Sequence, residues 1–232
     1  MNVVANSVGV QRGRPEGLLG QLLRDYLAQQ SAPLGDVERH VVCLRADDGK
    51  SGVTTKYGFL FGTGVVYGFL SEYYADGPPN PLIAARTLAR AVGSTMVQGP
   101  MIRRMAEPFH GSVELGDGTH WAQRDYLAIA GGTIDQIGLS FKPFYRSSER
   151  PGAFHLLGIH TSPLGFVSQM GRIWKGRAMD PEHTHDAVVE RAIIRSPKQP
   201  LKYMVDGDLH ECNGPLEVSI GPVVRIVVAP IA

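Results

Sequence analysis

The sequence predicts a mostly β chain, α+β overall, built as an antiparallel β-sandwich with helical connections. Three observations carry this expectation. Short runs of strand formers recur from residue 37 to residue 228, and the run 216–220 alternates apolar and polar side chains as a half-buried strand does. Turn dipeptides separate the runs, in a chain with 28 glycines and 16 prolines. Helical stripes are few, and they stand between strands in no regular βαβ rhythm.

In order, Pro15 opens a stripe of Leu18, Leu19, Leu22, Leu23, Tyr26 and Leu27, a helix that Ser31-Ala32-Pro33-Leu34-Gly35 ends. Residues 37–44 read as a strand, Asp47-Asp48-Gly49-Lys50 as a hairpin turn and 53–61 as the return strand. The segment 59–69 is apolar and glycine-rich. Residues 81–105 are helix-like and split at Gly99-Pro100. One side carries Leu82, Ile83, Leu88, Val92 and Met96, the other Arg86, Arg90, Arg103 and Arg104. Such a stretch either rests on anionic headgroups or is a surface helix. Residues 111–114 and 121–130 flank the turn Gly116-Asp117-Gly118-Thr119. Strands are expected at 126–131, 133–141 and 154–159, a helix at 163–174, and strands at 186–195 and 202–206. Asp206-Gly207 favours a tight reversal, and Gly221-Pro222 punctuates the last two runs, 216–220 and 223–228.

At 232 residues the chain can bury a substantial core. A net charge of +1 supplies no basic field for nucleic acid. The two cysteines, Cys43 and Cys212, lack metal or redox spacing and point to a reducing compartment. The uncharged run 57–70 is shorter than the ~20 residues a membrane helix needs.

Val205-Asp206-Gly207-Asp208-Leu209, then Gly214-Pro215-Leu216-Glu217-Val218 and Gly221-Pro222, looks like the C-terminal signature of the diacylglycerol kinase catalytic family, which includes sphingosine kinases and bacterial lipid kinases and commonly reads V-D-G-E there. Met1 to Val10 resembles the segment just after the family's glycine-rich P-G-G-T element, usually written G-T-x-N. The resemblance implies that the chain begins where the nucleotide-binding half is nearly finished. Residues 1–36 would be a remnant of that α/β domain, 37–222 a β-sandwich lipid-substrate domain, and 223–232 a C-terminal return segment.

The activity so implied is transfer of the ATP γ-phosphoryl group, with Mg2+, to a lipid hydroxyl. Asp206 would be the base that takes the hydroxyl proton, unless it only supplies turn chemistry. Asp208 would orient it or join a water–magnesium network, and Asn2 would sit beside the nucleotide. Phe59, Phe61, Gly64, Val65, Val66 and Phe69 would line the lipid, though the same segment reads equally as a core strand with a bend. The partners implied are diacylglycerol or a sphingoid-like lipid and a transient membrane surface, with a homodimer left open and no nucleic acid. The protein would be cytoplasmic and peripheral at the membrane. Diacylglycerol is favoured because the acid that sphingosine kinases place after this segment falls near Gly68, and the next acid is Glu72. The alternative is a non-catalytic β-sandwich module that has lost its nucleotide half.

Three strings carry less. Gly116-Asp117-Gly118-Thr119 spells the family's ATP motif but lies between strand-like runs, so it reads as a hairpin turn. His183-Thr184-His185 puts two imidazoles on one strand face, with Asp180, Glu182 and Asp186 nearby, but spacing assigns no third metal ligand, so no metal site is assigned. Where relatives carry D-G-x-L-D, which helps to hold a structural magnesium in bacterial members, this chain has Pro151-Gly152-Ala153-Phe154-His155, with Glu149 the acid nearby.

Overall fold

The computed structural model describes residues 15–29, 35–78, 80–198 and 200–228. Helix α1 (Pro15–Gln29) precedes strands β1 (Gly35–Asp47), β2 (Val53–Gly58) and β3 (Leu60–Thr63). Helices α2 (Val65–Ala75), α3 (Pro81–Met96) and α4 (Pro100–Met105) come next, then β4 (Phe109–Leu115), β5 (His120–Tyr126) and β6 (Ala128–Gly132). A 3-10 turn (Gly138–Ser140), β7 (Phe154–Ile159), α5 (Pro163–Trp174), β8 (Thr184–Val189), β9 (Arg191–Arg195), β10 (Leu201–Val205) and β11 (Asp208–Val228) complete it.

All the pairings are antiparallel and form two sheets that share β11. The first runs β2-β1-β11-β9-β4-β5 and the second β11-β10-β3-β6-β7-β8. β11 pairs with β10 through residues 208–212, then turns at Gly214, whose φ of 93° suits glycine, and pairs with β1 and β9. The chain changes sheet again at Phe59, Leu127 and Glu190, the corners a sandwich of bent strands needs.

One core lies between the sheets, where Val42, Val113, Trp121, Ile194 and Val218 meet Phe61, Phe154, Leu156 and Tyr203. Each such side chain, fully buried, contributes roughly 1.5–3 kcal/mol. A second core lies on the outer face of the second sheet. There Leu60, Ala128, Ala130, Leu157 and Ile159 are covered by Ile102, Ala106, Phe144 and Ile173. Covered on both faces, β3, β6 and β7 are buried at every residue, whereas β2 and β4 show solvent-facing positions.

Several sequence expectations are corrected. The return strand 53–61 is two strands in different sheets, divided at Phe59, and 186–195 is likewise divided at Glu190. Residues 133–141 form no strand, because Leu139 and Ser140 are both left-handed, at φ 58° and 64°. Gly221-Pro222 does not end a strand. It is a bulge set against Val41, where a residue without an N–H costs no ladder bond, so residues 223–228 continue the first sheet. On α3 the buried positions are Thr87, Ala91 and Thr95, while Leu82 and Met96, expected on the apolar side, face solvent.

Candidate functional site

The turn between β10 and β11 is the two-residue reversal its sequence predicts. Asp206 and Gly207 both have positive φ, 48° and 102°, and Val205 pairs with Asp208 to close it. Aspartate is among the few non-glycine residues that accept this conformation. The turn lies against the corner where the chain leaves β2 for β3. The Asp206 N–H donates to the Leu60 carbonyl at 3.1 Å. The Asp206 carboxylate accepts from the Leu60 N–H (Oδ1, 2.9 Å) and the Phe59 N–H (Oδ1 2.9 Å, Oδ2 3.0 Å). A Cβ on Gly58 would stand 2.5 Å from Val205 Cγ1 and 2.9 Å from Asp206 Cγ, so the corner closes only over glycine.

Although Asp206 as a residue is exposed, its carboxyl is turned inward onto the corner at Gly58, Phe59 and Leu60. Burial there raises its pKa above the ordinary aspartate value, opposed by the two amides and reinforced by the Asp208 charge. Oδ2 keeps a lone pair beyond its one amide bond. The arrangement is a fixed carboxylate of raised basicity, able to take a proton from a hydroxyl brought to the turn. Tyr74 on α2 closes one side, its hydroxyl donating to the Gly207 carbonyl at 2.8 Å. Asp208 is exposed beside it.

The expected lipid-lining residues divide. Gly64, at φ 57°, is the pivot from β3 into α2, and a Cβ there would meet the Leu127 carbonyl at 2.3 Å. Phe59, Val65 and Val66 are half-buried against the helix-covered core, and Phe69 lies beside Met101 and Met105. Phe61 is corrected: it is fully buried between the sheets, edge-on to Phe154 at 6.2 Å, and offers no surface to a ligand. The sequence showed residues 65–75 no helical stripe. α2 is mostly apolar and aromatic, interrupted by Ser71 and by Glu72, which pairs with Arg104, and none of its residues is fully buried. Gly68 lies against the Met105 backbone, where a Cβ would come within 2.4 Å of the carbonyl oxygen. Asn2 lies outside the described residues.

The remaining constellations resolve differently. Gly116-Asp117-Gly118-Thr119 forms a closed hairpin turn, with Leu115 N–H donating to the Thr119 carbonyl and Asp117 Oδ1 accepting from the Thr119 N–H. It presents no phosphate cradle. In the region compared with D-G-x-L-D, Asp186 accepts from Tyr145 (2.7 Å) and Arg146 (2.6 Å) and meets the fully buried His155 at 3.0 Å. Burial alone would raise the Asp186 pKa, but these three partners hold it well below the usual range. Glu149 is bound to Arg146. Sequence reasoning placed Asp186 only beside His183-Thr184-His185 and missed these partners, which lie 31 to 41 residues away. No cluster of histidines, cysteines or carboxylates among the described residues has metal-binding geometry.

No protein-family model matches the chain, and no curated protein does. Solved structures do. A diacylglycerol kinase from Bacillus anthracis str. Sterne superposes with TM-score 0.56 at 10% identity, covering 94% of this chain and 60% of that one. A candidate diacylglycerol kinase from the same organism gives TM-score 0.57 at 12% identity, covering 99% of this chain and 66% of that one. The chain thus spans about 60% of the length of the first of these structures. At such identities the likeness is one of fold: this chain shares the β-rich, kinase-like architecture of these structures.

Proposed function

We propose that the chain is the lipid-binding half of an ATP-dependent lipid kinase, with Asp206 as the base for a lipid hydroxyl. The observation that carries this reading is the Asp206 carboxylate, pinned by Phe59 and Leu60 amides at a sheet corner with its pKa raised. The kinase-like fold of its structural neighbours supports it. Holding the proton acceptor rigidly lets the substrate hydroxyl, rather than the enzyme, bear the ordering cost. Asp208, exposed at the closing pair of the turn, fits a magnesium held through water, and that ion would neutralise phosphate charge during transfer. The phosphate-cradling loops and the rest of the ATP site would belong to a nucleotide half outside the described residues.

Diacylglycerol is the substrate favoured. Gly68 has no room for an acidic side chain, and Glu72 is engaged by Arg104 at 3.0 Å, so neither supplies a free carboxylate for a sphingoid ammonium. Exposed Leu82, Met96 and Val97 beside Arg86 on and next to α3 support transient contact with a membrane surface. No helix among the described residues is long and apolar enough to cross one.

A second reading draws on the same hydrogen bonds. A carboxylate that accepts from two backbone amides is also a structural clamp, as in a non-catalytic module. The test is to express the chain with and without the coding sequence upstream of Met1 and supply ATP, magnesium and diacylglycerol. The extended protein should form phosphatidic acid, prefer diacylglycerol to sphingosine in competition, and lose activity on Asp206→Asn. The 232-residue chain alone should form none. An in-frame stop just upstream, or an extended protein indifferent to Asp206→Asn, would establish the module instead.

A further inference from the structure

At the far end of the second sheet from Asp206, the corner between β7 and α5 and the start of β8 enclose an open cleft of about 490 Å³. That lies in the range of small-molecule sites, ~300–1,000 Å³. His160, Thr161, Ser162, Gly165, Gln169, Asp180 and His183 line it. Behind His160, β5 brings Arg124, whose Nη1 lies 3.2 Å from both imidazole nitrogens. His185 packs 4.9 Å from the His160 ring and is stacked on Trp121, and its Nε2 is buried with no hydrogen-bond partner. Gly158 makes this packing fit, since a Cβ there would strike Trp121 at 2.8 Å.

The charge balance is unusual. Arg124 has no carboxylate partner among the described residues, because its neighbour Asp125 turns to His110 at 2.7 Å. His160 lies against the guanidinium, and His185 and His183 pack on His160 with ring centroids 4.9 and 6.4 Å away. Burial first, then Arg124 and the neighbouring histidine charges, lower the pKa of His160, and burial, His160 and Arg124 lower that of His185. A half-buried cation beside two imidazoles whose pKa values are lowered is a site short of negative charge. The opposite wall has the reverse character. Gln169 Oε1 is a buried acceptor without a donor, and Asp180 spends one oxygen on the Glu182 N–H. Acceptors on that wall call for hydroxyl donors.

We propose that the cleft binds a phosphate monoester of a small polyol. Its phosphate lies against His160 and His183, with the Arg124 guanidinium behind His160 supplying positive charge, and its hydroxyls face Gln169 and Asp180. The site stands apart from the kinase reading and survives its failure. His160 and His185 gain protons as the anion binds, so binding weakens as pH rises. Trp121 and Tyr126 complete the wall around the imidazoles and carry no charge.

The experiment tracks the histidine ring resonances of the intact chain by NMR during titration with glycerol 3-phosphate. Parallel titrations use inorganic phosphate, glycerol, and phosphatidylcholine vesicles with and without phosphatidic acid. The His160, His183 and His185 rings should shift saturably with glycerol 3-phosphate and less with phosphate, while His40 and His110 stay still. A response to phosphatidic acid vesicles as well would place the same phosphate chemistry on a lipid headgroup. Arg124→Gln should weaken binding about tenfold, through loss of the positive charge behind His160, and Arg124→Lys less. Asp180→Asn should tighten binding of phosphate alone. Sulfate, whose charge is constant, should bind more weakly at about pH 8 than at about pH 6. Should the three rings not move with any phosphate, or move equally with glycerol, the proposal is overturned; the wild-type titration alone decides this if a variant fails to fold.

Discussion

Asp206-Gly207 and Asp117-Gly118 are the same dipeptide in two hairpin connections, and the chain uses them for opposite ends. At the β4–β5 turn the carboxylate closes on its own loop, accepting from the Thr119 N–H, and that bond and its neighbours lower its pKa. At the β10–β11 turn the carboxylate reaches a corner 146 residues away in sequence, where burial raises its pKa. Turn chemistry is common to both. What separates them is the surface each turn meets: Gly118 faces open space, whereas Gly207 has the Tyr74 hydroxyl above it and Asp206 abuts Gly58. A turn becomes a candidate site when tertiary structure, not local sequence, sets the environment of its acid.

The comparison can be sharpened first at the level of chemistry. In the protein extended upstream, Asp206→Asn should lower kcat by roughly 10²-fold or more, as for a positioned general base, while Asp117→Asn leaves it unchanged. Equal effects at the two turns would erase the distinction. Packing gives the next largest effect. Gly58→Ala forces a Cβ into Val205 and Asp206 and should cost about 1–3 kcal/mol in thermal denaturation. Gly118→Ala meets no atom, and only its φ of 85° opposes it, a penalty of about 1 kcal/mol. The smallest effect is a matter of sign. With its pKa raised, Asp206 contributes stability that is full below the unfolded-state value and is lost as pH rises through the folded one. Asp117, with its pKa lowered, contributes stability above the unfolded-state value that is lost as pH falls through the folded one. Carboxyl carbon NMR should therefore place the two midpoints on opposite sides of the ordinary aspartate value, ~3.9.

Much of the fold was legible because it rests on local chemistry. The strand Phe154–Ile159 and the helix Pro163–Trp174, capped by Ser162, fall where their patterns put them, and the Asp-Gly pairs at 48, 117 and 206 all form turns. What failed has tertiary causes. Val65–Ala75 is rich in β-branched and aromatic residues, which favour strands, and becomes a helix because Gly64 pivots it away from the sheet and Gly68 docks it on Met105. The α3 stripe holds at half-buried Ile83, Leu88 and Val92 and fails at Leu82 and Met96, because the helix buries small residues, Thr87 and Ala91, most deeply. Of the candidate site, sequence could point to Asp206 and not to Phe59 and Leu60 as its donors, since backbone amides leave no sequence signal. The histidine cleft was half visible in His183 and His185, while Arg124 and His160 are scattered over separate elements.

The shared strand β11 has a consequence for how the molecule forms. Every residue of β1 that joins the first sheet through β11 finds its partner late in the chain; His40 and Gly221 are 181 positions apart. β10 and β11, by contrast, are joined by two residues and can pair at once. Folding should thus begin from the local hairpins and finish slowly, with closure of the long β1–β11 ladder as the last and most entropy-limited step. Until that ladder closes, β1 and β2 stand as a hairpin with both edges unpaired, the form of the chain most open to aggregation.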